Sequence, residues 1–355
     1  MNSIDSQQTS GELPVYIIGA GSIVNDAHLP AYRIAGFNVQ GIYDIDESRA
    51  KNTADKFNIP NVFKSMQQLL SQVPDKAVFD LAVPGSAHIS ILEKLPEQSN
   101  VLLQKPMGEN YEEARRILAL TKEKRMNAGV NFQLRYAPFI TALRQMIIKG
   151  ELGDLVDIEI NINVYTPWHT WDFLYSSLRV EILYHSIHYI DLVRTFFGNP
   201  DSVYAKTVKH PAMKELASVK SNIILDYGDM KRASILTNHC HVYGEAQQQS
   251  YLKFEGTKGA VKIDIGLLKN YPAGGKDKFA YILSEEGVYH QWQTKDIEGT
   301  WFPDAFIGSM AEVMQAAENK ISKPDNSVDD AIHTMACVEA AYQSSEQGGV
   351  KPKML

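Results

Sequence analysis

Cysteine is scarce in this chain: Cys240 and Cys337 are the only two in 355 residues. They lie far apart and form no C-x-x-C pair, which argues against a disulfide framework and fits a reducing compartment. So few thiols also leave no thiolate metal cluster and little scope for thiol nucleophiles. Positive charge is in short supply as well, with 35 Lys+Arg against 42 Asp+Glu and a net charge of −7. A nucleic-acid or anionic-membrane partner would need clustered cations to neutralise phosphates. No apolar run reaches the ~18 residues of a membrane span, and the opening MNSIDSQQTSGEL lacks the basic and apolar regions of a secretory signal. These absences predict a cytoplasmic protein with a flexible tail over residues 1–12 and a small-molecule partner, binding neither nucleic acid nor membrane. Apolar material, by contrast, is ample at 44%, and at about 100–200 residues per domain the length predicts two domains.

Residues 13–130 alternate short apolar runs with amphipathic segments, the pattern of a parallel sheet flanked by helices. The runs begin at Val15, Val39, Ala77, Val101 and Met126, and helices are expected over Asp46–Phe57, Ser65–Gln72, Ser86–Lys94 and Asn110–Arg125. From residue 131 to 355 the pattern changes. Long alternating strands are expected over 155–164, 218–226, 231–237 and 250–254, with turns at Tyr227–Met230 and Gly256–Gly259. One helix over Val180–Phe197 is stopped by Gly198-Asn-Pro200, and a last one runs from Ser327 to Gly348. The expected fold is an α/β N-terminal Rossmann domain over 13–130, followed over 131–355 by an α+β domain with a large, mainly antiparallel open sheet for substrate binding and oligomerisation.

Gly19-Ala-Gly21 directly follows the first strand and precedes a helical stretch. Glycine there permits a tight turn and lets backbone N–H groups approach a pyrophosphate at the positive end of a helix. Val24 stands where the third glycine of G-x-G-x-x-G would be, so the motif is partial. Asp44, 23 residues past Gly21 at the end of the second strand, can accept from both adenosine ribose hydroxyls and repel a 2′-phosphate. NAD is therefore expected over NADP, with Asp46 left to cap the next helix.

Several matches, in order, now accumulate. They are Gly19-Ala-Gly21-Ser22-Ile23 through His28-Leu-Pro30, then Ala82-Val83-Pro84-Gly-Ser-Ala-His88, Gln104-Lys105-Pro106, Asn131-Phe-Gln-Leu-Arg135-Tyr, His188-Tyr-Ile-Asp191 and the C-terminal Val338–Gly348. Together they resemble the glucose-fructose oxidoreductase/inositol dehydrogenase/MocA (Gfo/Idh/MocA) family of NAD(P)-dependent oxidoreductases. The resemblance implies a dinucleotide held by Gly19, Gly21, Ser22, Ile23, Asp44, Val83, Pro84, His88, Gln104 and Lys105, and a sugar, sugar-acid or cyclitol substrate. Two departures stand out: Gln104 replaces the acidic residue of the family's "EKP" turn, and Tyr184 stands where many members carry aspartate.

Lys105 would lie at the carboxyl end of a parallel strand, where its ammonium can stabilise a developing alkoxide. Within Val180–Asp191 the residues Glu181, Tyr184, His185, His188 and Asp191 fall on one face of a regular helix at 100° per residue. The resemblance makes His188 the general base, with Tyr184 or His185 as a second relay member. His185 could equally orient substrate or pack. Glu181, His185 and His188 could also bind a divalent metal, although the spacing is no established ligand motif. Trp168, in a Pro-led loop, could stack on a sugar or plug the fold, and Arg135 could hold a substrate carboxylate or form a structural ion pair. The expected activity is NAD-dependent hydride transfer at a CH–OH group, in a homodimer or homotetramer. Two alternatives share the site: a redox-neutral glycoside hydrolase or lyase with tightly held NAD, and a non-catalytic NAD-sensing regulator.

Overall fold

The apolar runs of the N-terminal part become the strands of one parallel sheet. They are β1 (Val15–Ile18), β2 (Val39–Tyr43), β3 (Asn61–Phe63), β4 (Val78–Leu81), β5 (Asn100–Leu103) and β6 (Asn127–Val130), in the order β3-β2-β1-β4-β5-β6. Every residue of β1, β4 and β5 is buried, as strands covered on both faces must be. The intervening helices are α1 (Leu29–Ala35), α2 (Glu47–Phe57), α3 (Met66–Gln72), α4 (His88–Leu92) and α5 (Tyr111–Glu123). Three of them start where a side-chain oxygen takes up an otherwise unpaired N–H: Asp46 for α2, Ser65 for α3 and Asn110 for α5. This strand order is that of a dinucleotide-binding Rossmann sheet. The computed structural model describes residues 11–269, 271, 274–284 and 291–352, so the expected tail over 1–12 falls almost wholly outside the described residues.

The second sheet has eight strands in the order β14-β13-β12-β11-β7-β10-β9-β8. They are β7 (Leu155–Asn163), β8 (Ser202–Val208), β9 (Lys220–Asp226), β10 (Arg232–Asn238), β11 (Gln249–Gly256), β12 (Gly259–Asp264), β13 (Lys278–Leu283) and β14 (Gln293–Lys295). All neighbours are antiparallel except β7 and β10, which pair in parallel. Alternation sets the faces: Ile158, Ile160 and Ile162 of β7 are buried while Asp157, Glu159, Asn161 and Asn163 point the other way.

Four more helices complete the described chain: α6 (Pro138–Ile148), α7 (Ile187–Phe197), α8 (Ala305–Ala317) and α9 (Val328–Gln347). Gly198, with φ +80°, ends α7 at the expected stop. Among the described residues no helix is long and apolar enough to cross a membrane.

Contacts divide the chain into two units: one up to Ile140 plus Gly299–Met335, the other Thr141–Glu298 plus the chain from Ala336. A single cut near residue 130 assigns 299–335 to the second domain, whereas those residues pack with the first unit. The reason lies in α8, whose Phe306, Met310, Val313 and Met314 join the core around Val15, Ile17, Val78 and Leu102. Asn326 secures the same segment, its backbone carbonyl accepting from the Val130 N–H (2.7 Å) and its side-chain amide donating to the Val130 carbonyl (3.0 Å).

Candidate functional site

The candidate residues fall into two sets, one in each unit. In the first unit, Gly19 ends β1 with φ +108°, and a Cβ there would sit 2.3 Å from the Ala82 carbonyl oxygen. Only glycine fits a left-handed backbone pressed so closely on the neighbouring turn. At Gly21 a Cβ would meet nothing within 4 Å, so space lies open above the loop, and the Gly21 carbonyl accepts from Val24 and Asn25 as the helix begins. Ser22 is exposed and Ile23 half-buried at that helix start. Asp44 closes the loop: one carboxylate oxygen accepts from the Ala20 N–H (2.7 Å), the other from the Asp46 N–H (2.8 Å). Each oxygen has a second lone pair for a ligand hydroxyl.

At the end of β4, Val83 is half-buried and Pro84 exposed, but His88 is fully buried. Burial pushes its imidazole down to about 4. The His88 ring is therefore held in its neutral form inside the turn. Gln104 and Lys105 directly follow β5. The Gln104 N–H extends the ladder to Leu81 O (3.0 Å). Desolvation lowers the Lys105 ammonium from 10.5 to about 8.

Arg135, expected near substrate, is 2% exposed and occupied. It pairs with Asp330 and donates from Nη1 to the Asp325 carbonyl at 2.8 Å. It is a structural tie, since Asp325 and Asp330, just before and in the first turn of α9, belong to the 299–335 segment, distant in the chain. Arg135→Met is expected to lower stability by about 1.5–3 kcal/mol, the range of a hydrogen bond to a charged group, with KM unchanged in a steady-state assay.

In the second unit, the helix that carries the histidines opens with a π-helical turn, Ile182–Ser186, before regular α7 begins. This extra residue per turn breaks the 100° register, so the five polar residues do not form one open stripe. Glu181 turns to Ser186, whose hydroxyl donates to it at 2.7 Å, and to His239 Nε2 at 3.5 Å. Glu181 and His239 are both 0% exposed. Burial alone would raise the Glu181 carboxyl, but hydrogen bonds from His239, Ser221 and Ser186 and the charge of His239 outweigh it and hold the carboxyl below its ordinary value. His239 Nδ1 lies 2.8 Å from the Thr166 hydroxyl, which anchors the ring on the side away from Glu181.

His185 is the one half-exposed member of the set; Tyr184, His188 and Asp191 are buried. Its ring is held between Trp168 (centroids 4.6 Å) and His239 (4.4 Å). Trp168 is 2% exposed and plugs the space beside His185 and His239, so its ring presents no open face to a sugar. The open rings of that loop are Phe173 and Tyr175, and Phe173 meets Tyr184 edge-on at 5.5 Å. Arg179 forms a bidentate pair with Glu339 (2.6 and 3.0 Å). Among the described residues no group of three or more His, Cys, Asp or Glu side chains is placed to hold a metal ion.

His239 is the residue missed from sequence. Its signal was parity: Ala233, Ile235 and Thr237 are the buried positions of β10, and residue 239 continues that series just past the strand.

Residues 13–132 match the Gfo/Idh/MocA family's "Oxidoreductase family, NAD-binding Rossmann fold", and residues 144–353 its "C-terminal alpha/beta domain". The chain is 26% identical over 284 residues to glucose-6-phosphate 3-dehydrogenase of Bacillus subtilis, covering 77% of this chain and 75% of that one. It is 33% identical over 223 residues to trans-1,2-dihydrobenzene-1,2-diol dehydrogenase of Bos taurus, covering 61% and 63%. Among solved structures, an Agrobacterium radiobacter oxidoreductase in complex with NAD+, L-tartaric acid and magnesium matches with a TM-score of 0.76 at 20% identity, covering 95% of this chain and 97% of that one.

Proposed function

The chain belongs to the Gfo/Idh/MocA oxidoreductase family, and from that premise we propose that it transfers hydride between NAD(H) and a hydroxyl-bearing carbon of a sugar, sugar acid or cyclitol. Its N-terminal Rossmann domain binds NAD(P). Gly19, Gly21, Ser22 and Ile23 would hold the pyrophosphate on backbone N–H groups, Asp44 the adenosine ribose, and Val83, Pro84 and Gln104 the remainder along the strand ends. The residues fit such a ligand: a Cβ is excluded at Gly19, and the space over Gly21 is open. NAD over NADP is supported by Asp44, because a carboxylate there repels a 2′-phosphate. Asp44→Ser is expected to narrow the preference for NAD by about tenfold, the effect of about 1.4 kcal/mol, as read from the ratio of kcat/KM with the two cofactors.

When bound, the nicotinamide supplies the hydride acceptor or donor. Lys105 Nζ donates a hydrogen bond to the substrate oxygen and stabilises negative charge there as it develops. His188 takes the hydroxyl proton during oxidation and returns it during reduction. Tyr184, standing in for the aspartate of many relatives, and His185, held by Trp168 and His239, serve proton passage and substrate orientation. The observation that carries this reading is a desolvated lysine at the carboxyl end of β5 in a sheet of dinucleotide-binding order.

The test is to incubate the protein with NAD+ and a panel of polyols, sugars, sugar acids and glycosides and follow NADH. Net NADH formation supports the dehydrogenase; glycoside cleavage with retained, unchanged cofactor would replace it with redox-neutral chemistry. We also place a homo-oligomer contact on the outward face of the second sheet, where Tyr204, Ile224 and Leu236 are 58%, 44% and 48% exposed on one face. Sedimentation of wild type against a Tyr204→Asp/Leu236→Asp variant tests it.

A further inference from the structure

Inside the first unit, three buried polar side chains to which the proposed chemistry gives no role, Asp80, His28 and Asn131, lead to Gln104. Asp80, within β4, accepts at Oδ2 from His28 Nδ1 (2.7 Å) and from the Tyr32 hydroxyl (2.7 Å). On the far side of the imidazole, His28 Nε2 lies 3.3 Å from Asn131 Nδ2, and the same amide nitrogen donates to Gln104 Oε1 at 3.0 Å. His28, Asp80 and Asn131 are 0% exposed and Gln104 is 9% exposed. The His28 ring is further clamped between Tyr32 and Phe306, with centroids at 6.0 and 4.9 Å.

The direction of this chain follows from its Asp80 end. A carboxylate only accepts, so the His28 proton sits on Nδ1 and Nε2 is left as an acceptor. Asn131 must then present its NH2 group, giving one proton to His28 and the other to Gln104. With its carbonyl oxygen engaged, Gln104 has its own NH2 group to offer a ligand.

We propose that Asp80, His28 and Asn131 are positioning residues that hold Gln104 with its amide N–H group toward the nicotinamide half of the dinucleotide, so that an acceptor oxygen of that half is recognised beside Lys105. The proposal rests on the dinucleotide-binding reading above. In this strand order each half of the sheet takes one mononucleotide, and β4, β5 and β6 make up the second half. A glutamate at position 104 would still accept from Asn131 but would turn an acceptor toward the ligand. Glutamine in place of the acidic residue thus reverses the polarity of what the ligand meets.

Two measurements test this. Nitrogen NMR of the full-length protein with labelled histidine and no added nucleotide, assigned with His28→Gln, should show the His28 proton on Nδ1 and none on Nε2; a proton on Nε2, with or without one on Nδ1, overturns the chain. NADH titration should show Gln104→Leu weakened several-fold and Gln104→Glu weakened by at least about tenfold. Asn131→Leu should weaken binding although it touches no ligand, and combined with Gln104→Leu it should add no further loss. Equal or tighter NADH binding by Gln104→Glu, or simple additivity of the two leucine variants, overturns the proposal. Where a variant fails to fold, the wild-type tautomer decides. Absence of NADH binding by wild type would instead remove the proposed function and the ligand together, while an Nδ1 proton would still establish the buried chain.

Discussion

Lys105→Met is expected to lower turnover by at least about a hundredfold and at the same time to stabilise the protein. Removing a charge-stabilising donor from a reacting oxygen typically lowers kcat by about 10²–10³, while cofactor affinity, which we assign mainly to the glycine loop and Asp44, should change little. The stability gain has a separate origin. Desolvation that lowers the ammonium from 10.5 to about 8 disfavours the charged form in the fold, by about 3 kcal/mol as an upper figure. For a cation whose folded value is depressed, this destabilisation is fully present below pH 8 and fades as pH rises toward 10.5, where the unfolded chain also loses the proton. Urea midpoints of Lys105→Met and wild type should therefore differ at pH 7 and converge toward pH 10. In wild type, turnover that needs the protonated amine should decline above about pH 8. An unchanged midpoint at pH 7 would show that Lys105 is well solvated.

His239→Leu should give the largest loss of stability in the second unit. It leaves the Glu181 carboxylate buried without the partner 3.5 Å away, and breaking a buried pair by removing one member costs about 3–5 kcal/mol. Glu181→Gln in the same background should recover much of that, because the remaining group is no longer charged. The pH dependence should also invert. In wild type the lowered Glu181 carboxyl contributes stability above its ordinary unfolded value, and that contribution is lost as pH falls through the lowered value. In His239→Leu burial is opposed only by the Ser186 and Ser221 hydrogen bonds, so the carboxyl rises and the deficit relative to wild type should shrink as the solution is acidified. Urea unfolding of the three proteins at neutral and mildly acidic pH reads both effects.

The cofactor half was legible in the sequence because its signals are local. Each buried strand is an apolar run a few residues long, Asp46, Ser65 and Asn110 mark helix starts through their own side chains, and Gly19 occupies a turn only glycine can make. What was not legible depends on partners far away in the chain. α8 follows the second sheet in sequence yet packs on the first, and nothing in its own apolar pattern says which core it fills. Arg135 reads equally well as a substrate anchor or an ion pair until Asp330 is placed beside it. Trp168 reads equally well as a sugar platform or a hydrophobic plug until His185 and His239 are seen against its ring. The π-helical turn at Ile182–Ser186 defeats periodicity outright, since an inserted residue shifts every side chain upstream of it away from the face a regular helix would give.

We propose that a Rossmann-bound nicotinamide and Lys105 together oxidise a polyol or sugar hydroxyl. The most direct measurement is NADH formation by purified wild type and Lys105→Met, each saturated with NAD+, across the same panel of polyols, sugars and sugar acids. Wild type should form NADH with at least one compound, and Lys105→Met at least about a hundredfold less while still binding NAD+. Equal rates in the two proteins, or a wild type that binds neither NAD+ nor NADH, would contradict this proposal.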